Sequence, residues 1–247
     1  MGRLVAEAVV AGGARLAGGT LGPRGRHTLP ALAAPVFGSV ADLAGACDVL
    51  IDFTHAETVA AHAAAVSGAG IAWVLGTTGL DAAASDAVQD AARHVCVVQA
   101  ANFSPGVTLV LALAQRLAAA LPGDEYDAEI LEMHHRQKVD APSGTALALG
   151  RAVAAGRGVA LGDVAQRVRD GHTGARRAGA IGFASLRGGQ VVGEHTLLFA
   201  GEAEHIAITH KALDRRVFAL GAVRAAVWTQ GRAAGLYAML DVLGIAP

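Results

Sequence analysis

The 247 residues carry 20 Lys and Arg against 21 Asp and Glu, a formal charge of -1. That balance excludes the global basic field of a protein built to hold nucleic acid or an acidic membrane surface. Hydrophobic residues make up 53%, much of it alanine, and aromatics only 4%, which suits an Ala-rich α/β or α+β chain with core enough for one large domain or two small ones. The apolar run Val107–Ala114 stops at Gln115 and Arg116, too short to span a bilayer. Glu7 interrupts the N-terminal apolar residues, and no signal-peptide layout follows. Cys47 and Cys96 have no Cys-x-x-Cys spacing and read as small core residues rather than a disulfide or metal pair. A cytoplasmic protein is expected.

Cys47–Phe53 (CDVLIDF) reads as a buried strand closing on Asp52, Phe53 and Thr54, and Glu57–Ser67 as an Ala-rich helix. Ile71–Leu75 (IAWVL) is the next strand, closed by Gly76-Thr77-Thr78-Gly79. Asp81–His94 follows as a helix and Val95–Gln99 as a strand. Strands alternating with helices of this length predict a parallel sheet with right-handed crossovers. From about Ala128 the pattern changes. Glu129–Met133 is a strand and Pro142–Ala155 a helix. Ile181–Leu186 and Val191–Phe199 flank Gly188-Gly189, the expected turn of a hairpin. Gly201-Glu202 makes a second turn into Ile206–His210, completing an antiparallel meander in a second, α+β domain. Val217–Leu243 returns to helix and packs back on the first domain.

Residues 132–150, EMHHRQKVDAPSGTALALG, concentrate the candidate chemistry. If the strand continues past Met133, His134 and His135 point to opposite sides of the backbone. One imidazole then exchanges a proton near neutral pH, and the other binds substrate. The Lys138 ammonium can donate a proton or hold a carboxylate. Asp140-Ala141-Pro142 is a turn signal, with Ser143 as N-cap of the helix that follows. The backbone N–H groups of Gly144 and Thr145 then face an anion. Taken singly, each part reads as a polar strand end or an ordinary cap; together they describe a site that binds carboxylate and donates protons. A metal site is disfavoured, because adjacent histidines in a strand diverge and no cysteine or carboxylate stands at ligand spacing.

This string resembles the signature of the 4-hydroxy-tetrahydrodipicolinate reductases (dihydrodipicolinate reductases) of bacterial lysine biosynthesis. DVLIDFT, VLGTTG, AANFSPGV, SLRGGQVVGEHTLLFAGE, EHIAITHKA and FALGAVRAA match the family in order, over nearly the whole chain. The resemblance implies a Rossmann-like parallel-sheet domain of residues 1–104 and 217–247. A substrate-binding and oligomerisation domain of residues 105–216, with a mostly antiparallel sheet, completes it. It implies that His134 exchanges a proton, that Lys138 donates one, and that His135, Gly144 and Thr145 contact substrate. Gly76, Thr77 and Thr78, then Ala100, Ala101, Asn102 and Phe103, match two loops that touch the cofactor, NADPH or NADH, and Arg215 an arginine near it. The implied reaction is hydride transfer to the ring of a cyclic imine dicarboxylate. The implied assembly is a homotetramer formed through the open sheet of the second domain, with no nucleic-acid or membrane partner.

The chain departs from the family at two places. The family opens with a strand and a turn of the form Gly-x-x-Gly-Arg-Met-Gly; here Met1-Gly2 match its last two residues. In a dinucleotide fold that strand is central. Its loss is expected to leave two ladders unpaired, at about 1–3 kcal/mol for each buried orphan group, and to remove the helix-start seat of the pyrophosphate. A start assigned too late is the favoured explanation over a truncated, impaired protein. Leu16–Thr20 (LAGGT) carries no carboxylate for an adenosine ribose, while Arg24, Arg26 and His27 could pair with a 2′-phosphate, a leaning to NADPH if they are not simply a solvated basic loop. The alternatives are a non-catalytic oligomeric homologue and a reductase of a related cyclic imine.

Overall fold

The computed structural model describes residues 1–22 and 34–245, so Arg24, Arg26 and His27 lie outside the described residues. The chain forms two compact units, Met1–Pro105 with Arg216–Pro247, and Gly106–Arg215. Each is described by itself.

In the first unit, α1 (Gly2–Ala11) leads to the short strands β1 (Gly19–Thr20) and β2 (Val36–Phe37), which pair with each other in parallel. Then α2 (Val40–Ala44), β3 (Val49–Asp52), α3 (Val59–Ala69), β4 (Ala72–Leu75), α4 (Ala82–Ala92) and β5 (Cys96–Gln99) alternate. Ser39 caps α2 by accepting from Asp42 N, and Asp81 caps α4 by accepting from Ala84 N. The strands β3, β4 and β5 are parallel, and their last residues stand in register: Asp52 beside Leu75, and Leu75 beside Gln99. Trp73, Leu75 and Val97 pack against Val59, Val66 and Val88 of α3 and α4. Val74 and Val98 point to the opposite face, onto Phe103, Ala222 and Ala225. A sheet covered on both faces explains why these strands read as unbroken apolar runs.

The second unit opens on α5 (Pro105–Ala120), which takes up the apolar run 107–114. β6 (Asp127–His134), α6 (Gly144–Gly156), α7 (Leu161–Val164), β7 (Ala165–Gln166), β8 (Ile181–Arg187), β9 (Gly193–Ala200) and β10 (His205–Ala212) follow. The strand order is β10-β9-β6-β8-β7. Here the expected hairpin and the meander built on it are corrected. β8 and β9 are not hairpin partners, because β6 lies between them, parallel to β8 and antiparallel to β9. The sheet is therefore mixed, with parallel pairing on one side of β6 and antiparallel pairing on the other. The cause is visible at the turn: Gly188 N donates to His134 O, and Arg136 N donates to Gly189 O. The glycine pair thus satisfies the backbone at the end of β6 instead of closing a two-residue loop. Ala128, Ile130, Leu197, Phe199 and Ile181 bury against Ala146, Leu149 and Val153 of α6.

The chain then returns to the first unit through α8 (Arg216–Trp228), β11 (Gly235–Tyr237) and α9 (Met239–Leu243). The stretch 217–243, expected to return to helix, is thus interrupted by a strand between two helices. Past Trp228 the backbone turns through Gly231 at φ 72, a conformation helices use to stop. β11 then adds in parallel to the outer edge of β5. The four-stranded order is β11-β5-β4-β3. Among the described residues β3 pairs only with β4, and β1 only with β2. Both line one cavity of about 1160 Å³, which also reaches Gly2 and Arg3 at the start of α1. Among the described residues no helix is long and apolar enough to cross a membrane.

Candidate active site

β6 places the first histidine. Its buried residues alternate, Ala128, Ile130, Glu132 and His134, so Glu132 and His134 share the inward face. The His134 Nδ1 lies 2.6 Å from Glu132 Oε2. Arg187, at the end of β8, donates to both oxygens of Glu132 at 2.8 and 2.9 Å. Ser143 N donates to Glu132 Oε1 at 3.2 Å, which ties the start of α6 to the same carboxylate. Burial opposes ionisation of Glu132, but hydrogen bonds from Arg187, Ser185 and His134 outweigh it and hold its pKa at about 2. An ionised carboxylate only accepts hydrogen bonds, so His134 carries its proton on Nδ1.

Burial pushes the His134 imidazole below its ordinary value; the Glu132 hydrogen bond opposes this, and the charges of Lys138 and Arg187 add to it. The ring of His195, on β9, sits edge-on to His134 at 5.1 Å between centroids. Gly193 keeps the other ring nitrogen clear: a Cβ there would stand 3.0 Å from His134 Nε2. His195 Nε2 lies 3.0 Å from Ser143 Oγ, which itself accepts from Ala146 N as the N-cap of α6. Burial and the neighbouring His134 push the His195 pKa down to about 4.

Lys138 donates from Nζ to both oxygens of Asp140, at 2.7 and 2.9 Å. Lys138 and then burial set the Asp140 carboxyl, with the ammonium prevailing and holding it below its usual range. His135 leaves the strand after His134, and its Nδ1 is buried with no hydrogen-bond partner among the described residues. Gly144 and Thr145 form the first turn of α6, where backbone N–H groups favour an anion. His134, Lys138, Gly144 and Thr145 are thus gathered around one short loop. Arg136 is exposed within that loop.

The first unit holds the other sequence-predicted residues. The loops Gly76–Gly79 and Ala100–Phe103 leave the aligned ends of β4 and β5. In open parallel sheets that edge receives nucleotides. Thr77 is buried and Thr78 exposed. Gly76 packs so closely that an added Cβ would overlap the ring of Phe53, which meets Phe103 edge-to-face at 5.6 Å. Asn102 Oδ1 accepts from Ser104 N at 2.8 Å, turning the second loop. Asp52, at the end of β3, accepts from the N–H and hydroxyl of Thr54 and lies 2.7 Å from His62 Nδ1. Burial opposes its charge, yet the bonds from His62 and Thr54 keep it ionised below the usual range. Two loops at the carboxyl edge of a parallel sheet fit a nicotinamide dinucleotide; the cavity reaches Asp52, Phe53 and Thr54 at the end of β3 but is not lined by the two loops. Arg215 stands apart from these loops in the chain, exposed in the turn before α8 and within the second unit. No group of three or more metal-ligating side chains occurs among the described residues.

Gly221 of α8 touches the Phe103 carbonyl, and a Cβ there would overlap it. Gly221→Ala is therefore expected to push the second loop outward and destabilise the first unit by about 1–3 kcal/mol. Urea unfolding of the variant checks this, and an unchanged midpoint would mean that the helix and loop separate without strain.

Sequence reasoning missed Glu132, Arg187 and His195. Glu132 had a signal, since it stands two residues before His134 on a strand of period 2. Arg187 and His195 had none, because they reach the site only through the order of strands in the sheet.

A family model described as dihydrodipicolinate reductase, N-terminus, matches residues 1–103, and one described as dihydrodipicolinate reductase, C-terminus, matches residues 106–243. The chain is 60% identical over 245 residues to the 4-hydroxy-tetrahydrodipicolinate reductase of Granulibacter bethesdensis, covering 99% of this chain and 93% of the relative. It is equally similar, 60% over 245 residues with the same coverage, to the enzyme of that name from Gluconacetobacter diazotrophicus. Among solved structures, dipicolinate-bound dihydrodipicolinate reductase from Paenisporosarcina sp. TG-14 has the same fold, with TM-score 0.78 and 24% identity, covering 97% of this chain and 94% of that one.

Proposed function

The chain belongs to the dihydrodipicolinate reductase family, and from that premise we propose that it reduces 4-hydroxy-tetrahydrodipicolinate to tetrahydrodipicolinate with NADPH or NADH in the diaminopimelate route to lysine. The observation that carries the reading is the gathering of a neutral, anchored imidazole, an ammonium and a helix start around the loop 135–144.

The reduced nicotinamide, when bound, supplies a hydride. The loops Gly76–Thr78 and Ala100–Phe103 hold it in the first unit. The 4-hydroxyl must leave as water, and the unsaturated ring that results, on accepting a hydride, gains an electron pair and must also gain a proton. His134 delivers that proton from Nε2 after first taking one up there from solvent, because Nδ1–H is committed to Glu132. Lys138 is a second donor, once a substrate carboxylate competes with Asp140 for its ammonium. The N–H groups of Gly144 and Thr145 hold one carboxylate. His135, whose buried Nδ1 lacks a partner among the described residues, meets the substrate. Arg215 contributes charge near the cofactor. We place the enzyme in the cytoplasm as a homotetramer joined through the exposed face of the second unit's sheet, where β10 alternates between exposed and half-buried residues.

Purified protein mixed with 4-hydroxy-tetrahydrodipicolinate is expected to consume NADPH or NADH, followed by the loss of reduced-nicotinamide absorbance. Absence of turnover with both, in a folded protein, overturns the reading.

A further inference from the structure

We infer that Glu132 is a positioning residue: with Arg187, it fixes His134 as the Nδ1–H tautomer and locks that ring to the start of the α6 helix. Its side chain is 1% exposed, and hydrogen bonds from His134, Arg187, Ser185 and Ser143 N converge on it. They come from three segments of the chain. His134 is on the same strand, Arg187 on the neighbouring β8, and Ser143 N at the helix start. Arg187 extends the lock, because its Nη2 also donates to Asp140 O at 2.7 Å. Asp140 in turn holds Lys138. One buried carboxylate therefore sets the relative placement of the proton-exchanging imidazole, the ammonium and the anion-facing helix start.

Gly193 gives the arrangement its direction. With Nδ1 on Glu132, the nitrogen left for chemistry is Nε2, and the missing side chain at Gly193 leaves room beside it. A purely structural ion pair would have no need to choose between the two ring nitrogens. The charged and titratable groups facing His134 are Glu132 on its own strand, Lys138 in the following loop, Arg187 on β8 and His195 on β9. Of these only Glu132 is negative and in hydrogen-bond contact with the ring.

The role of this lock in turnover rests on the reductase reading, whereas its effect on the ring is a property of the free protein. Both are tested with Glu132→Gln. A glutamine amide can accept from Nδ1–H or donate to a bare Nδ1, so it no longer selects a tautomer. Histidine-selective nitrogen NMR of the unliganded protein, with the His134 signal assigned by its absence in His134→Gln, is expected to show one tautomer in the wild type and a mixture in Glu132→Gln. In turnover, kcat is expected to fall on the order of 100-fold, with the KM for substrate little changed. The alkaline limb of the kcat/KM profile, where His134 loses the proton it delivers, should move to lower pH, since Arg187 then faces His134 without its counter-charge. If Glu132→Gln fails to fold, Glu132→Gln/Arg187→Met removes both charges of the pair together and carries the same two readouts. Either folded variant that keeps a single Nδ1–H tautomer and a kcat within about twofold of wild type overturns the proposal. A wild type without turnover, but with the tautomer shift intact, would refute the reductase reading and leave the lock standing.

Discussion

His134→Gln is expected to lower kcat by about 100–10,000-fold, the usual range for removing a positioned acid or base. The fold should survive the change. A glutamine amide can still donate to Glu132 Oε2, so the buried carboxylate keeps its partners in Arg187 and Ser143. What is lost is an imidazole that can take up and release a proton. Lys138→Ala is expected to fall in the same range if the ammonium donates the proton. If it chiefly holds a carboxylate, KM rises and kcat changes little. Its structural cost is small in either case, because the Asp140 side chain left behind is 56% exposed and water can solvate it. Steady-state kinetics of both variants, with circular dichroism to establish folding, decides between the roles. Full rates in both would remove His134 and Lys138 from the chemistry.

Such predictions depend on which parts of the molecule the sequence made legible. Local chemistry was legible wherever the chain signals it within a few residues. The alternation around Ile71–Leu75 and Val95–Gln99 gives parallel strands because their side chains are buried on both faces. Ser143 is an N-cap because its oxygen can reach Ala146 N whatever surrounds it. His134 and His135 separate because β6 runs through His134 and then stops. Non-local pairing was not legible. Gly188-Gly189 looks like a hairpin turn by its own composition, yet its hydrogen bonds go to His134 and Arg136 at the end of β6, far away in the chain. Nothing within that turn encodes the insertion of a third strand between its arms. The same limit hid Arg187 and His195, whose places beside His134 follow from the order β9-β6-β8. The break in the last helix was local and readable: Gly231 supports the φ of 72 that stops α8, while Leu236 and Tyr237 supply the short strand after it. A wider apolar pattern over 217–243 obscured it.

The site that shapes turnover should also make the protein sensitive to acid. His195 is 5% exposed, and its pKa is pushed from 6.5 to about 4 by burial and by the nearby His134. In the unfolded chain it binds a proton near its ordinary value, so between those two pH values the unfolded state holds more protons. Stability therefore rises with pH across that interval. Put the other way, this contribution is complete above about pH 6.5 and is lost as pH falls through about 4. At about 1.4 kcal/mol per pKa unit, the loss is about 3 kcal/mol. His134 and His210 are shifted in the same direction and add to it. Glu132 acts in a lower window. Its folded pKa of about 2 lies below its ordinary 4.5, so its contribution is present above that value and lost as pH falls towards 2. Urea unfolding midpoints are thus expected to decline from pH 6.5 downwards, before most carboxylates titrate. His195→Gln separates this first phase from the second. The amide can keep the hydrogen bond to Ser143 Oγ but binds no proton, so the decline between pH 6.5 and 4 should shrink while the steeper loss below it persists. A wild-type midpoint that stays level from pH 7 to 5, or a variant that follows the wild-type curve, would show that burial does not shift the titration of His195 in the folded protein.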